Sequence, residues 1–364
     1  MIAYNILIIF FFLIFIFEKK ILKHKKVNTY FLSTVFILLT IFFGLRLEVG
    51  PDWTHMYTYL ESTKNYNFIN IFSQREIIDS LIMTISYIVG NNLIFYFFTI
   101  FILFHSLLFY VFNEDKKNFW FYLSFSFPTF YIFLSVNSPR QSLAIAILLF
   151  FIFCFEKNKN IIFPFLLGLL SALIHNSAIV ILPFYILCLS FHFRHQINKI
   201  PKNYTIIIFI SIFLFIFAFI YQFLPPILYY FKHTYLLISF KSDGFYFRYL
   251  YMFFFFFMGL FLFFNNNDLK YKLLFSLFLI IFVFSLSLTF ISSTVADRIL
   301  YFCYPLTLYI TYKYLLLMVN FRYKFHIKFF FIIYNYFFYF VWTYYSTSFN
   351  EWLPYRNLIH EYLF

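Results

Sequence analysis

Residues 92–112 read NLIFYFFTIFILFHSLLFYVF, a run of 21 residues without an Asp, Glu, Lys or Arg. As an α-helix this run extends about 31 Å, which matches a bilayer hydrocarbon core of about 30 Å. Apolar runs of 14 to 21 residues recur along the whole chain, whereas a membrane β-barrel consists of alternating strands of about ten residues. We therefore predict an all-α fold, a polytopic transmembrane helix bundle.

The composition of the 364-residue chain supports this class. Hydrophobic residues make up 63% and charged residues 11%, and the mean hydropathy of +0.84 leaves too little polar surface for a water-soluble globule. The net charge of +13 comes from short basic clusters between apolar runs, which is typical of cytoplasmic loops and does not indicate nucleic-acid binding. The three cysteines lack CxxC or Cys/His spacing, so we expect core packing and neither a zinc site nor a disulfide framework.

We predict about twelve spans, with approximate ends. They are 2–17, 30–45, 92–112, 119–136, 141–155, 161–174, 177–190, 204–223, 249–264, 273–290, 299–317 and 329–345. The first span lacks a basic region and a small-residue cleavage site, so we expect a retained helix and no cleaved signal peptide. Residues 76–90 are amphipathic and predict an interfacial helix. The chain is thus a single integral membrane domain, 1–364, with an outer loop and interfacial helix at about 46–90.

The basic residues predict the orientation of the bundle. With the lysine cluster at 19–26 in the cytoplasm, alternate threading places most Lys and Arg inside, as the positive-inside rule requires. The two 14-residue segments around His175 are short, since 14 helical residues extend only about 21 Å. One long tilted helix in their place would invert all later spans, so we prefer a hairpin of two spans.

Arginine and lysine differ in their predicted side. The outer face holds Arg46, Arg75, Arg140, Arg248, Arg298 and Arg356, and the inner face holds Arg194, Arg322 and most lysines. A guanidinium group binds phosphate through two parallel hydrogen bonds, so the outer cluster predicts an anionic ligand, most naturally a lipid phosphate or pyrophosphate. The alternative is that each arginine reaches the lipid headgroups or pairs with a nearby acid.

The densest polar motif is RLEVGPDW, residues 46–53, directly after the second span. Gly50-Pro51 predicts a turn, Asp52 an N-cap for the helix that follows, and Arg46 with Glu48 a charge pair at the membrane edge. Trp53 and Tyr57 lie one helical turn apart. A structural turn and cap is the alternative for Asp52, but it does not require Arg46, Glu48 and Trp53 together.

A second motif, NSPRQ at 137–141, opens the fifth span at its outer end. Pro139 suits the first position of a helix, so Arg140 and Gln141 lie in its first turn. A cation there opposes the helix dipole, whereas free backbone N–H groups favour an anion. We therefore expect Arg140 to be functional.

Two further polar breaks complete the set. His175-Asn176-Ser177 interrupts a long apolar stretch, where a polar group needs a cavity or a protein partner. His175 is either a general base or hydrogen-bond donor, or a turn residue satisfied by backbone carbonyls. Asp297-Arg298 begins the eleventh span, with Tyr301 one turn further on the same face.

These four motifs, in this order at these span ends, resemble the EpsG family of exopolysaccharide proteins, relatives of Wzy-type O-antigen polymerases. The residues that carry the resemblance are Arg46, Gly50, Asp52, Trp53, Tyr57, Arg140, Gln141, His175, Asn176, Ser177, Arg298 and Tyr301. The ending Trp352-Leu353-Pro354-Tyr355 is also similar. Pro51 departs from the family pattern, in which a small polar residue is expected before the Asp.

The resemblance implies a GT-C-like polymerase of the bacterial inner membrane whose active site faces the outside. Its substrates are oligosaccharide repeat units linked to undecaprenyl pyrophosphate, and it needs no nucleotide sugar. Because no DxD-like pair of acids accompanies the arginines, we infer no metal, and we expect no cofactor. Membrane lipid surrounds it, and a flippase and a chain-length regulator are candidate partners. The catalytic candidates are His175, Asp52, Arg140 and Arg298. The substrate-binding candidates are Arg46, Glu48, Trp53, Tyr57, Gln141 and Tyr301.

In this chemistry cations hold the leaving pyrophosphate and a base receives the acceptor proton. The outer arginines supply the first, and His175, Asp52 or Glu48 the second.

Three alternatives remain. A flippase or exporter of lipid-linked oligosaccharides also uses cationic cavities, but it should expose cations to both leaflets. An O-antigen ligase differs only in its acceptor. A membrane O-acyltransferase needs a deep histidine and a route for an acyl donor, and it leaves the outer arginines unexplained.

Overall fold

The computed structural model describes residues 2–23, 25–63, 76–90, 92–157, 159–160, 162–183, 185–186, 188, 242, 244–319, 321–345, 353 and 355–358. These residues are almost entirely helical, and their only β-type pairing is an isolated bridge between Arg46 and Asn357. The all-α prediction is confirmed. The predicted span 204–223, Arg75, Arg194, Trp352 and Pro354 lie outside the described residues.

The helices follow one another in a simple order. They are α1 (Ile2–Ile16), α2 (Glu18–Lys23), α3 (Lys25–Gly44), α4 (Asp52–Ser62), α5 (Ile77–Ile88), α6 (Leu93–Asn113), α7 (Phe119–Asn137), α8 (Pro139–Glu156), α9 (Ile162–Ile174), α10 (Phe245–Asn265), α11 (Leu269–Leu288), α12 (Ser293–Leu300), α13 (Tyr304–Leu317) and α14 (Lys324–Tyr345). Short 3₁₀ turns occupy Asn176–Ile181, Tyr301–Cys303 and Phe321–Tyr323, and α7 contains π-helical turns over Phe127–Leu134.

Six helices of the described part are long and apolar enough to cross a membrane: α6, α7, α8, α10, α11 and α14. α1, α5 and α9 are apolar but shorter, and the apolar part of α3 extends over Asn28–Gly44. The run at 92–112 is α6, displaced by one residue from its predicted bounds. The protein is therefore a membrane-type helix bundle. All three cysteines are buried in its packing, as predicted.

Ion pairs mark one end of the bundle. Lys313 contacts Glu156 and Asp268 at 2.5 and 2.6 Å, and Lys328 contacts Glu18 at 3.3 Å. Every described lysine lies at or near this end, with Arg322, and we call it the lysine end. The remaining described arginines lie at the opposite end, where α3 stops and α8 begins, and we call it the arginine end: Arg46, Arg140, Arg248, Arg298 and Arg356. The predicted separation of arginine from lysine residues is confirmed for these residues.

The chain reverses direction at His175. α9 ends at Ile174, and a Cβ atom on Gly168 in α9 would lie 2.6 Å from the ring of Tyr185. The Tyr185 ring centre also lies 4.4 Å from that of Phe151. The described residues after the turn therefore return along α8 and α9, which agrees with the predicted reversal and excludes one long helix across His175.

Helix α5 corresponds to the predicted interfacial helix. Its first turn contacts the start of α8, and its end leads directly into α6, so it lies across the arginine end. Asp79, Ser80 and Ser86 are buried against the protein, whereas Ile85 and Ile88 are exposed. This polarity is the reverse of that of a helix in a water-soluble protein, and it suits a helix whose outer side contacts lipid.

The C-terminal segment closes the end of α3. Leu358 N donates to Leu45 O at 2.8 Å, and the Asn357 side chain donates to Ile41 O at 3.1 Å and Phe42 O at 3.3 Å. The last carbonyls of a helix lack partners within it, and Phe42 O and the following Leu45 O accept from this segment. These contacts also hold Arg356 at the arginine end.

Candidate functional site

Arg46 follows α3 and is fully buried. Its Nη1 donates to Ser135 O at 3.3 Å, and its guanidinium carbon lies 4.4 Å from the ring centre of Phe97. Nε and Nη2 have no hydrogen-bond partner among the described residues. Burial lowers the pKa of Arg46 to about 10, so the side chain stays charged at neutral pH. The site therefore contains a buried cation with unused donors.

The Gly50-Pro51 turn directs the chain from Arg46 into α4. Gly50 has a φ of +98°, and a Cβ atom there would lie 2.6 Å from Val136 O, so only glycine allows this approach to α7. The predicted N-cap role of Asp52 is wrong. Pro51, with φ −63° and ψ −28°, occupies the cap position, and no side chain caps the helix. Because Pro51 is already helical, Asp52 lies in the first turn, where the helix dipole favours its charge.

Pro139 is the first residue of α8, as predicted, and Arg140 lies in the first turn. Its Nη1 donates to the carboxylate of Glu76, and to Asp79 Oδ2 at 3.3 Å. Glu76 Oε1 in turn accepts from Asn176 N at 3.1 Å. The anions favoured at this helix start are therefore two carboxylates from α5 and the residue before it. Arg140 is paired with acids, which was the alternative considered from sequence.

His175 is buried at the hairpin turn, with extended backbone angles. Its Nδ1 lies 3.3 Å from Ser177 N, which donates to it, and 2.6 Å from Ser177 Oγ. Because Nδ1 accepts a backbone N–H, this network assigns the ring proton of the neutral form to Nε2. The turn interpretation expected backbone carbonyls as partners, whereas the observed partner of Nδ1 is a backbone N–H group.

Gln141 joins three of the motifs. Its side-chain amide donates to the backbone carbonyl of Arg298, and it lies 3.4 Å from Ser177 Oγ. The start of α8, the turn after α9 and helix α12 therefore meet at one point. Gln141 is fully buried, so these contacts lie inside the protein.

Asp297 pairs with Arg248 from α10. Nε of Arg248 lies 2.5 Å from Oδ1, and Nη2 lies 2.8 Å from Oδ2. Tyr301 Oη and Ser242 Oγ also donate to Oδ2, at 2.7 and 2.8 Å. Tyr301 therefore lies on the same face of the helix as Asp297, as predicted. The Asp297 carboxylate accepts four hydrogen bonds, from Arg248, Tyr301 and Ser242.

A polar cavity of about 230 Å³ lies beside this pair at the arginine end. Its polar lining comes from three of the motifs, from Ser242 and Arg248 before and at the start of α10, and from Thr294 in α12. The lining residues are Pro51, Asp52, Phe133, Asn137, Ser138, Ser242, Arg248, Thr294, Asp297, Arg298, Tyr301 and Trp342. The structure therefore places Asp52, Arg298 and Tyr301 in the lining of one cavity.

An open groove of about 1010 Å³ lies on the other side of Pro51. It is lined by Leu47, Glu48, Gly50, Pro51, Trp53, Thr54, His55, Tyr57, Asn92, Leu93, Ile94, Leu353 and Arg356. The predicted pair of Arg46 and Glu48 is wrong, because Glu48 contacts Arg356 at 2.6 Å and Arg46 lies buried below. The C-terminal segment, held against the end of α3, supplies this unexpected partner.

The ten predicted site residues thus fall into neighbouring groups at one end of the bundle. Asp52, Arg298 and Tyr301 line the cavity, and Glu48, Trp53 and Tyr57 line the groove. Arg140, Gln141 and His175 lie in the network around α8 and the hairpin. Arg46 is buried and lines neither space.

Three residues of this region were not assigned a role from sequence. Glu76 and Asp79 contributed only to the amphipathic pattern of α5, and Arg248 only to the count of outer arginines. Acids in a helix with exposed apolar residues indicate a buried charged partner, and this signal was available in residues 76–90. The pairing of Arg248 with Asp297 had no local signal.

Comparison with known proteins identifies one family. The family model described as EpsG family matches residues 29–357, which is most of the chain. No curated protein and no solved structure matches it.

Proposed function

The chain belongs to the EpsG family, and from this premise we propose that it is a polysaccharide polymerase of the bacterial inner membrane. Membership of this family supports a function of the exopolysaccharide or O-antigen polymerase type in a membrane protein. We assign it the transfer of a growing glycan from undecaprenyl pyrophosphate to the next lipid-linked repeat unit. A bundle of about twelve spans with a GT-C-like arrangement, and contacts with a flippase and a chain-length regulator, belong to the same proposal.

The reaction exchanges one bond for another at the anomeric carbon of the donor. The bond from this carbon to the pyrophosphate oxygen breaks, and the lipid pyrophosphate leaves with the electron pair. A hydroxyl oxygen of the acceptor forms the new glycosidic bond, and its proton passes to a base. The donor is already activated, so no nucleotide sugar is required. The protein must stabilise the leaving pyrophosphate and receive one proton.

The observation that carries the proposal is the cavity that Asp52 and Arg298 share. A guanidinium group beside a carboxylate supplies the two functions in one place, anion binding and proton acceptance. Arg248, which also lines the cavity, binds Asp297 through two parallel hydrogen bonds. We assign pyrophosphate binding to Arg298 because it lines the cavity together with Asp52, and we place Tyr301 beside the substrate.

Arg46 adds positive potential below this cavity. It is buried, its Nε and Nη2 donors are unused among the described residues, and its charge is in Coulombic contact with Asp52. A buried cation with donors that are unused among the described residues attracts an anion more strongly than one at the surface. This supports a substrate that brings negative charge to the arginine end.

His175 and Asp52 are the two candidate bases. His175 accepts at Nδ1 from Ser177 N, so a proton from an acceptor would enter at Nε2. Arg140 engages Glu76 and Asp79 through Nη1, so a phosphate would compete with these carboxylates for that nitrogen. The Gln141 side-chain amide donates to the backbone carbonyl of Arg298, and we interpret this contact as a positioning role for Gln141. Glu48, the third candidate base from sequence, contacts Arg356 in the groove.

The positive-inside rule supports an external site. The described lysines are concentrated at the end opposite the cavity, and cytoplasmic loops carry the excess of basic residues in membrane proteins. The cavity then opens toward the outer leaflet. The same asymmetry favours a polymerase over a flippase, since a flippase must present cations to both leaflets.

Deletion of the gene, followed by gel analysis of lipid-linked and surface glycans, tests the proposal. A polymerase deletion should leave single repeat units on the surface or on lipid, without the ladder of longer chains. Complementation with the intact gene should restore the ladder, and complementation with an Arg298→Ala variant of equal protein level should not. Normal polymers without attachment would indicate a ligase, and repeat units trapped on the cytoplasmic side would indicate a flippase. Either result would overturn the proposal.

A further inference from the structure

The open groove beside Pro51 differs in its chemistry from the cavity that we assign to pyrophosphate. It is about 1010 Å³ in volume, and α4, the start of α6, residues 47–48 and the C-terminal segment form its walls. We propose that this groove is the saccharide-binding subsite, and that it takes uncharged sugars of the acceptor repeat unit. This inference rests on the proposed polymerase function and assigns a ligand class to one part of its site.

Two aromatic side chains give the groove a surface for sugar rings. Trp53 and Tyr57 are four positions apart on α4 and therefore share one face of the helix. The Trp53 ring packs against Phe97, with centres 4.9 Å apart and planes 16° apart, which fixes its orientation. Tyr57 is 52% exposed. A pyranose ring presents apolar C–H groups on its faces, and these pack well on rigid aromatic rings that also carry a polar atom.

Polar groups that suit hydroxyls surround the aromatic pair. Thr54 and His55 follow Trp53 on α4 and are exposed. Asn92 uses its side-chain oxygen to accept from Ile94 N at 2.8 Å, which fixes the side chain at the groove. A concave site with aromatic walls and a few fixed polar groups is typical of a small-ligand site. A ligand rich in hydroxyl groups matches this lining better than an apolar chain does.

The charges of the described groove lining cancel each other. Among the described lining residues, Glu48 and Arg356 are the two that carry a formal charge, and they contact each other at 2.6 Å. Their side chains are 65% and 49% exposed, and an ion pair in such surroundings stabilises a fold by little. Glu48 nevertheless adopts a φ of +51°, a left-handed conformation that is unfavourable for a residue other than glycine. A strained pair with little value for stability indicates a binding role, and its zero net charge favours uncharged sugars.

The groove and the cavity adjoin each other at Pro51. Pro51 lines both spaces, and the next residue, Asp52, lies on the cavity side. An oligosaccharide that lies along Trp53 and Tyr57 would therefore present its end near Asp52 and Arg298. This is the arrangement that a transfer from pyrophosphate to an acceptor hydroxyl requires, because the reacting atoms must meet at one point.

Binding of the free oligosaccharide tests this subsite without turnover. The probe is the saccharide released by mild acid from the lipid-linked repeat units that accumulate in the deletion strain. Its affinity is measured by isothermal titration with the full protein in lipid nanodiscs. Tyr57→Ala should weaken binding roughly 3- to 10-fold, which is the effect expected for loss of one aromatic contact. The control is Tyr344→Ala, an 80% exposed aromatic residue near the end of α14 that does not line the groove.

Four outcomes decide the inference. Weaker binding by Tyr57→Ala alone, with little dependence on NaCl concentration, supports it. Equal binding by Tyr57→Ala and the unmodified protein overturns it. An equal loss in Tyr344→Ala assigns both rings to the lipid interface and also overturns it. A steep loss of binding with added salt assigns an anionic ligand to Arg356 and overturns the uncharged class.

The polymerase proposal fails separately. If the groove binds the saccharide through Tyr57 but the protein makes no polymer, the subsite stands and the polymerase function falls. If the protein makes polymer and Tyr57→Ala leaves both saccharide affinity and the KM for the lipid-linked acceptor unchanged, the function stands and the subsite falls.

Discussion

Arg248 and Asp297 form an ion pair with two parallel hydrogen bonds, in which Nε lies 2.5 Å from Oδ1 and Nη2 lies 2.8 Å from Oδ2. Both side chains are almost completely buried. Arg248 belongs to the first turn of α10, and Asp297 directly precedes Arg298 in α12. The pair therefore fixes α12 against α10 and, with it, the position of Arg298 at the cavity.

Removal of one partner should destabilise the protein. Arg248→Met leaves the Asp297 carboxylate buried without its counter-charge, and such a change costs roughly 3–5 kcal/mol. We expect a lower thermal unfolding temperature of the purified protein in detergent and a lower protein level in the membrane.

The double variant Arg248→Met with Asp297→Leu is the control. It removes both charges, so it should regain most of the lost stability. Polymer formation should stay low, because Arg298 has lost the contact that positions its helix. A double variant no more stable than the single variant would contradict this account, and so would one with full activity.

Arg298→Lys tests the role of the guanidinium group at the cavity. Lysine keeps the charge but lacks the planar fork that binds two phosphate oxygens, so polymerisation should fall roughly 10²-fold, nearly as far as in Arg298→Ala. Arg322→Lys is the control, because Arg322 is exposed at the lysine end. Ladder formation by the complemented deletion strain is the measurement. Full activity of Arg298→Lys would show that the residue contributes charge alone.

Arg140→Lys gives a different test, because the described contacts of Arg140 to Glu76 and Asp79 use Nη1 alone. A lysine at this position can pair with the same carboxylates. If Arg140 only neutralises them, the variant should keep both its stability and its polymer. We expect stability to be retained and activity to fall at least tenfold. If Arg140 contacts the pyrophosphate during the reaction, it needs the planar guanidinium group to bind two phosphate oxygens, and lysine lacks this group. Retention of both would leave Arg140 as a structural residue.

Much of this fold follows from local pattern. The run at 92–112 gave α6 within one residue, and Pro139 began α8 as its fixed φ predicts. The hairpin at His175 followed from charge distribution, because a single helix would have inverted all later loops. The positions of long apolar helices and the separation of arginine from lysine depend on local composition, so the sequence predicts them.

The partners of the charged residues did not follow from pattern. Glu76 lies 64 positions from Arg140, and Arg356 lies 308 positions from Glu48. Periodicity shows which side of a helix is apolar, but it does not show which helices are neighbours. The N-cap assignment of Asp52 failed for a local reason: the fixed φ of Pro51 let the helical geometry begin one residue early.

The buried acid Asp79 predicts a pH effect. Burial, and then the charge of Glu76, raises the pKa of Asp79 to about 6, although Arg140 opposes this. Between about pH 4 and pH 6 the folded protein therefore binds a proton that the unfolded chain has lost. The contribution of Asp79 to stability should fall as pH rises through this window.

Asp79→Asn removes this titration and keeps an acceptor for the Tyr96 hydroxyl, which donates to Asp79 Oδ1 at 2.5 Å. Thermal unfolding at pH 4.5 and pH 7.5 is the measurement. The original protein should lose more stability across this interval than the Asn variant does. Parallel profiles for the two proteins would refute the shift.

His175 is the final test, because its two possible roles use different atoms of the ring. The turn uses Nδ1, which accepts from Ser177 N. A general base uses Nε2 and needs a pKa near neutrality. Asparagine places an oxygen close to the Nδ1 position and is a strong N-cap residue, but it has no basic group. His175→Asn should therefore preserve the turn and remove the base.

We expect His175→Asn to retain its membrane level and to lose polymerisation by roughly 10² to 10⁴, the usual contribution of a general base. His175→Gln should also be inactive, because glutamine is not basic either, and Ser177→Ala should lose less, because the ring remains. Normal polymerisation by the Asn variant would assign His175 to the turn and make Asp52 the leading base, since Asp52 shares the cavity with Arg298. Loss of the Asn variant from the membrane, with the same loss in Ser177→Ala, would assign His175 a structural role.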